Sequence, residues 1–338
     1  MKHFSKTQVW ISSGLFFIAA ALSSQHASAQ STNIIKIDGS STVFPITEAV
    51  ADAFHEKNPA VKVTIGIAGT GGGFKKFCKG ETDISDASRP ILKKEMAECT
   101  KNGIAYMELP VAFDAITVVI HPKNKFLSKL TAEELRKLWE PAAEGVIKTW
   151  DQVNPSWPKE PIKLFGPGKE SGTFDYFTEA IMGKAKASRN DYTMSEDDNV
   201  IVQAVSRDVN ALGYLGYSYY QENSKKLKAA AIVAKDAKAA VLPSVKSVVD
   251  ASYQPLARPL FIYVNAKADE RPEVRAFVDY YLNNAEAAAK QTKYIPLSLK
   301  DYRHTAVNYK VKKTGTAFGG EPEVGVTIEE LLKREPKQ

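Results

Sequence analysis

The feature that most restricts the fold of this chain is a junction that occurs three times. A short β-type run ends in a cluster of Gly, Ser and Thr, and apolar residues at helical spacing follow at once. The first junction joins residues 34–37 through Asp38-Gly39-Ser40-Ser41-Thr42 to Val43, Phe44, Ile46, Val50 and Phe54. The second joins the alternating run VKVTIGI, residues 61–67, through Gly69-Thr70-Gly71-Gly72-Gly73 to a short helix, FKKFCKG, closed by Gly80. The third joins residues 162–165 through Ser171-Gly172-Thr173 to Phe174, Phe177 and Ile181. A chain that repeatedly feeds strands into helices builds βαβ units and a largely parallel sheet. Ligands in such folds bind beside the carboxyl ends of the strands. Each junction presents hydroxyls and backbone N–H groups at the positive end of a helix dipole, which suits a small anion. Ordinary helix capping would use the same residues, so no single junction separates the two uses.

Between the second junction and residue 91 lies Asp83-Ile84-Ser85-Asp86-Ala87-Ser88-Arg89-Pro90, which adds a hydroxyl and a planar cationic fork. The glycine run is not GxGxxG and no GK[ST] follows, so neither nucleotide-binding fingerprint is met. Further along, helices are expected over 91–101, 197–208 and 273–282, and strands over 104–109, 113–120, 227–233 and 260–264. Thr131 and Glu134 form a capping-box pattern. Residues 154–161 hold three prolines and read as loop. ALGYLGYSYY, residues 211–220, reads as strand and turn packed on the core. The glycine- and charge-rich stretch beyond Lys310 reads as partly ordered.

The amino terminus has the pattern of an export signal. Lys2 and Lys6 precede a short apolar run, residues 9–22, and Ala27-Ser28-Ala29 forms an A-x-A cleavage pattern. The apolar run is too short to span a bilayer, and a mature chain starting near Gln30 is expected to be soluble and exported. Loss of Lys2 and Lys6 leaves 43 Lys plus Arg against 39 Asp plus Glu, so the net charge falls from +6 to +4. That balance suits a small anion and lacks the concentrated basic stripe of a nucleic-acid binder. Cys78 and Cys99 flank the Ser88-Arg89 loop and are expected to pair in an oxidising compartment, with two free buried thiols as the alternative. The five His are isolated in sequence and no metal-ligand set or cofactor motif is visible. With no GxSxG elbow and no His placed as a base, a hydrolase using Ser41 or Ser171 has little support.

The motifs GSSTVFP, GTGGGFKKF, DISDASRPI and SGTFDYF, in this order behind a signal, resemble the phosphate-binding proteins of high-affinity phosphate ABC transporters, the PstS family. The resemblance covers most of the mature chain. It implies an α/β type II periplasmic binding fold, with two lobes closing on an anion held in the cleft between them. The expected divisions are a signal at 1–29, one lobe from 30–115 plus 259–310, a second from 116–258, and a tail at 311–338. The chain is expected to cross between lobes near 113–116 and 258–261. The resemblance also implies a monomeric, non-catalytic periplasmic protein that hands inorganic phosphate to an inner-membrane permease, with sulfate or another tetrahedral oxyanion as the alternative ligand. Matched position by position, Ser41, Thr42 and Val43 form the first ligand loop. Thr70 and Gly71 supply a hydroxyl and an N–H, and Ser171, Gly172 and Thr173 form the helix start. Two positions depart from the family pattern. Ser88 stands where well-known members have an Asp that accepts the ligand proton, and Pro167 stands where they have an Arg. Arg89 is the candidate replacement for that Arg. Asp38, Asp86, Asp114 and Glu170 are unranked candidates for the acceptor.

Overall fold

The computed structural model describes residues 1, 3, 33–321 and 323–336. The expected export signal lies outside the described residues, apart from Met1 and His3. The chain first forms β1 (Ile34–Gly39), α1 (Phe44–Lys57), β2 (Lys62–Gly66), α2 (Gly69–Phe77), β3 (Ile84–Ala87), α3 (Lys93–Lys101) and β4 (Tyr106–Ala115). It continues through β5 (Thr117–Ile120), β6 (Lys129–Thr131), α4 (Ala132–Trp139), α5 (Trp150–Val153), β7 (Lys163–Pro167), α6 (Gly172–Met182) and β8 (Thr193–Ser195). Then come α7 (Asp198–Val205), β9 (Ala211–Leu215), α8 (Tyr217–Glu222), β10 (Lys228–Ala229), β11 (Ala231–Val233) and α9 (Val245–Val249). The last elements are β12 (Ala257–Asn265), α10 (Pro272–Gln291), α11 (Leu299–Lys310) and α12 (Ile328–Leu332).

Among the described residues two five-stranded sheets result, ordered β2-β1-β3-β12-β4 and β10-β5-β9-β7-β8, with a small β11-β6 pair. The strands that feed the three junctions run as the sequence implies: β1 is parallel to β2 and β3, and β7 is parallel to β8 and β9. The sheets as a whole are mixed rather than largely parallel. β12 runs antiparallel to β3 and β4, and β5 runs antiparallel to β9 and β10. The physical reason is the route of the chain. It leaves the first sheet along β4 and returns along β12, and the returning strand lies beside the departing one, with Ala257 opposite Ala115 and Arg258 opposite Asp114. The chain comes back from the second sheet in the reverse direction, so the pairing is antiparallel. The fold is the two-lobed periplasmic-binding α/β architecture.

Helix packing follows the apolar spacing. α1 buries Ile46, Val50 and Phe54 at four-residue intervals, and Phe54 meets Phe277 of α10 edge-on at 5.3 Å. α10 runs past its expected end to Gln291 because Ala285, Ala288 and Ala289 continue the buried face with residues of high helix propensity. The glycine run does not precede α2 but forms its first turns. A Cβ on Gly73 would lie 2.6 Å from Gly39 Cα, and Gly69, at φ +78°, would place one 2.6 Å from Glu170 O. The helical cost of these glycines, on the order of 1 kcal/mol each, is offset by backbone approach that no side chain permits.

The stretch beyond Lys310 packs rather than frays. Phe318, Val326 and Leu331 are buried, and Phe318 meets Phe261 edge-on at 5.6 Å. Its glycines, Gly315, Gly319, Gly320 and Gly325, all take positive φ, so they mark turns. Cys78 and Cys99 form the expected disulfide, tying the end of α2 to α3 across 21 residues. Replacing both with Ala should lower unfolding stability by about 3 kcal/mol, seen as a lower urea midpoint. A midpoint equal to the wild type would show that the bridge adds nothing to the fold.

Candidate functional site

The ends of the three junctions meet around one buried ion pair. Arg258 at the start of β12 and Asp114 at the end of β4 are wholly buried, with Nη2 and Nε at 2.9 and 3.2 Å from Asp114 Oδ2. Asp114 Oδ1 accepts the Tyr217 N–H at 2.9 Å. The remaining guanidinium donors reach the junctions. Nη1 donates to Ser88 O at 3.1 Å, and Nη2 donates to Thr173 Oγ1 at 2.8 Å and Thr42 Oγ1 at 3.3 Å. Tyr176 offers its ring face 5.8 Å from the guanidinium carbon.

Hydroxyls complete the cluster. Thr42 and Thr173 share a hydrogen bond at 3.0 Å, joining the first junction to the third. Ser40 Oγ donates to Ser88 Oγ at 2.9 Å, Thr70 and Ser88 share a bond at 3.2 Å, and the Ser88 N–H donates to Thr70 Oγ1 at 3.1 Å. Gly172 has no Cβ, which here would sit 2.5 Å from Ser88 Oγ, so the start of α6 closes directly onto Thr70 and Ser88. Two tyrosines hold the first loop by its carbonyls: Tyr219 OH donates to Ser41 O at 3.0 Å and Tyr294 OH to Thr42 O at 2.5 Å.

Local capping explains why these hydroxyls are available. α6 is capped as its sequence implies, with Ser171 Oγ accepting the Thr173 N–H at 3.1 Å. α1 and α2 follow the N-cap residues Val43 and Ala68, neither of which makes a side-chain cap. The Ser41, Thr42 and Thr70 hydroxyls, which capping would occupy, instead point sideways into the cluster or to its edge.

Of the residues singled out in the sequence, Thr42, Thr70, Ser88, Gly172 and Thr173 come together, and Ser171 caps the helix beneath them. Ser41 lies at the edge, where its hydroxyl donates to Asp198 Oδ2 at 2.7 Å. The Val43 N–H is spent on Ser40 O at 3.1 Å and the Gly71 N–H on Glu170 O at 2.8 Å. Arg89 is buried but directed elsewhere. Its Nε donates to Asp175 at 2.8 Å, and Nη1 and Nη2 grip both Glu95 oxygens at 2.8 and 2.7 Å. The guanidinium among the hydroxyls belongs to Arg258, which the sequence reading had marked only as a point of chain crossing. A lone Arg inside the apolar run PLARPLFIYV was the available signal, since a charge in a buried strand needs a partner.

The carboxylates separate clearly. Asp38 accepts the Ala68 N–H and pairs with Lys76. Glu170 pairs with Lys75 on an exposed rim, and that bond holds its carboxyl below the usual range. Asp114 is saturated by Arg258 and Tyr217. Asp86 is buried on β3 with neither side-chain oxygen bonded, and burial pushes its pKa to about 8, against the pull of the nearby Thr47 hydroxyl. Asp198, missed by the sequence reading, is likewise pushed by burial to about 7 while the Ser41 bond and Arg258 pull it down. Among the described residues no group of His, Cys, Asp and Glu is arranged to hold a metal.

The fold and this site define a solute-binding protein. A model of the PBP superfamily domain matches residues 24–285. The chain is 52% identical over 307 residues to Protein SphX of Synechocystis, covering 90% of this chain and 91% of the relative. It is 40% identical over 271 residues to the phosphate-binding protein PstS of Staphylococcus saprophyticus, covering 79% and 82%. A crystal structure of a possible phosphate binding protein from Planctomyces limnophilus matches with a TM-score of 0.62 at 46% identity, covering 82% of this chain and 98% of that one. The chain therefore belongs to the PBP superfamily, in the family that contains SphX and PstS.

Because burial favours the protonated Asp86 in the folded state, the contribution of this one group to stability is fully present below about pH 4 and is lost as pH rises from the ordinary value of 3.8 toward about 8. Urea midpoints at pH 5 and pH 8 should show the wild type losing more stability than Asp86→Asn over that interval. Equal losses would mean that Asp86 does not ionise differently on folding.

Proposed function

We propose that this protein is a periplasmic receptor for inorganic phosphate that delivers its ligand, as a monomer, to the permease of an ABC transporter. The observation that carries this reading is the convergence of Thr42, Thr70, Ser88 and Thr173 on the Arg258 guanidinium. The set combines neutral hydroxyls with one bidentate-capable cation, the donor pattern that a tetrahedral oxyanion requires. Names and structures of the relatives point to the same ligand class. The export pattern at residues 1–29 supports a location outside the cytoplasm, and among the described residues no helix is long and apolar enough to cross a membrane.

Binding in this scheme is an exchange of partners. The hydroxyls bond one another across the two sheets, and an entering anion takes those bonds over. Each hydrogen bond to a charged group nets about 1.5–3 kcal/mol, and micromolar affinity needs roughly 8 kcal/mol. Roughly three to six such bonds suffice, and the cluster offers that number. The Thr42–Thr173 contact, which links a residue beside the first sheet to one beside the second, is where ligand capture would draw the lobes together.

Calorimetric titration of the chain starting at Gln30 tests the reading. Phosphate should bind at micromolar or lower concentration, and sulfate at least about 100-fold more weakly. Equal affinities would make it a general oxyanion receptor, and no heat with either anion would overturn the proposal. Residue roles are separable in the same assay. Thr173→Val should weaken phosphate binding by about 1.5–3 kcal/mol with little change in melting temperature. Arg89→Met should lower stability by about 3–5 kcal/mol, because Glu95 and Asp175 lose their buried partner, while the folded protein keeps its affinity within a few-fold. A large affinity loss at Arg89 with normal affinity at Thr173 would reverse the two assignments.

A further inference from the structure

The segment after α11 is fastened to the first sheet and then reaches the other half of the molecule. Its anchors are the Gly315 N–H on Tyr106 O at 2.9 Å, and Thr316 Oγ1 and the Ala317 N–H on buried Glu108 at 2.6 and 2.9 Å. Gly320 O accepts the Lys93 N–H at 2.8 Å. Beyond these anchors the Gly325 N–H donates to the phenol oxygen of Tyr176 on α6 at 2.9 Å. Glu323 and Val324 close a small cavity against Arg89, Asp175 and Tyr176. Glu323 also pairs with Arg334, whose guanidinium lies over the Phe318 ring at 4.9 Å, so the segment is braced on itself.

Tyr176 makes this contact consequential. Its hydroxyl donates to Ala257 O at 2.6 Å, one residue before Arg258, and its ring faces the Arg258 guanidinium at 5.8 Å. The phenol oxygen thus spends its hydrogen on the start of β12 and a lone pair on Gly325. Burial pushes its ionisation upward, so it remains a neutral donor. An arginine whose five donors must meet fixed acceptors depends on the placement of its own backbone. Here that backbone is pinned through one oxygen shared with the carboxyl-terminal segment.

We propose that the carboxyl-terminal segment is part of the anion-binding machinery: Gly325 fixes Tyr176, and Tyr176, as a positioning residue, fixes Arg258. The inference rests on the reading of the Arg258 cluster as the phosphate site. Two variants separate its parts. Tyr176→Phe keeps the ring over the guanidinium but removes both hydrogen bonds. A chain ending at Gly320 keeps the anchors on Tyr106, Glu108 and Lys93 but removes Gly325. Each should weaken phosphate binding roughly tenfold. The combined variant should be no weaker than the worse single one, because both break the same link. Amide exchange at Arg258 and Leu260 should accelerate in both variants. Unchanged affinity in both single variants, fully additive losses, or wild-type exchange at these amides would overturn the link. A wild type that binds no phosphate, with exchange at Arg258 and Leu260 still accelerated in the variants, would overturn the phosphate reading while leaving the positioning link standing.

Discussion

The buried pair of Arg258 and Asp114 is the interaction on which the arrangement depends. Taking two charges out of water costs several kcal/mol per ion, and the pair persists because every group around it is a partner. Asp114 takes both the guanidinium and the Tyr217 N–H, while Arg258 spreads its donors over Ser88, Thr42 and Thr173. The pair also sits where the departing and returning strands lie side by side. One interaction therefore closes the crossing and orients three loops that are far apart in sequence.

Those loops serve the cluster because their hydroxyls are not consumed locally. Ser and Thr before a helix ordinarily satisfy its first N–H groups. At α1 and α2 the helices begin without that help, so Thr42 and Thr70 remain free to bond across the molecule. At α6 the labour is divided: Ser171 caps and Thr173 reaches inward. The glycines of α2 contribute by absence, since a side chain at Gly73 would drive the helix off β1 and carry Thr70 away from Ser88.

Local pattern made much of this legible. The strand-to-helix junctions and their hydroxyl residues follow from spacing and turn chemistry, whereas the crossings near 113–116 and 258–261 were implied only by the family resemblance. Pairing over long separations was not legible. Asp114 and Arg258 are 144 residues apart, and Ser41 and Asp198 are 157 apart, so nothing in either neighbourhood announces the other. Arg89 adjoins Ser88, yet both lie in the bend that follows β3, where neighbouring side chains are free to point apart. With Ser88 turned into the cluster, Arg89 turns to Asp175 and Glu95. The start of α2 lies five residues earlier than its sequence implies, for a related reason. Propensity weighs against glycine in a helix, and only the three-dimensional approach of β1 and Glu170 outweighs it.

The neutralised state of Arg258 reaches beyond geometry. Its charge is cancelled at 2.9 Å by Asp114, and the remaining groups of the cluster are uncharged hydroxyls. As the proposed phosphate site, such a cluster would cast little field into the surrounding solution and would not draw its grip from that field. Dissolved electrolyte screens distant charges over about 8 Å at physiological ionic strength but leaves short bonds in a dry interior nearly untouched. A receptor built this way would hold its ligand almost as firmly in brine as in fresh water.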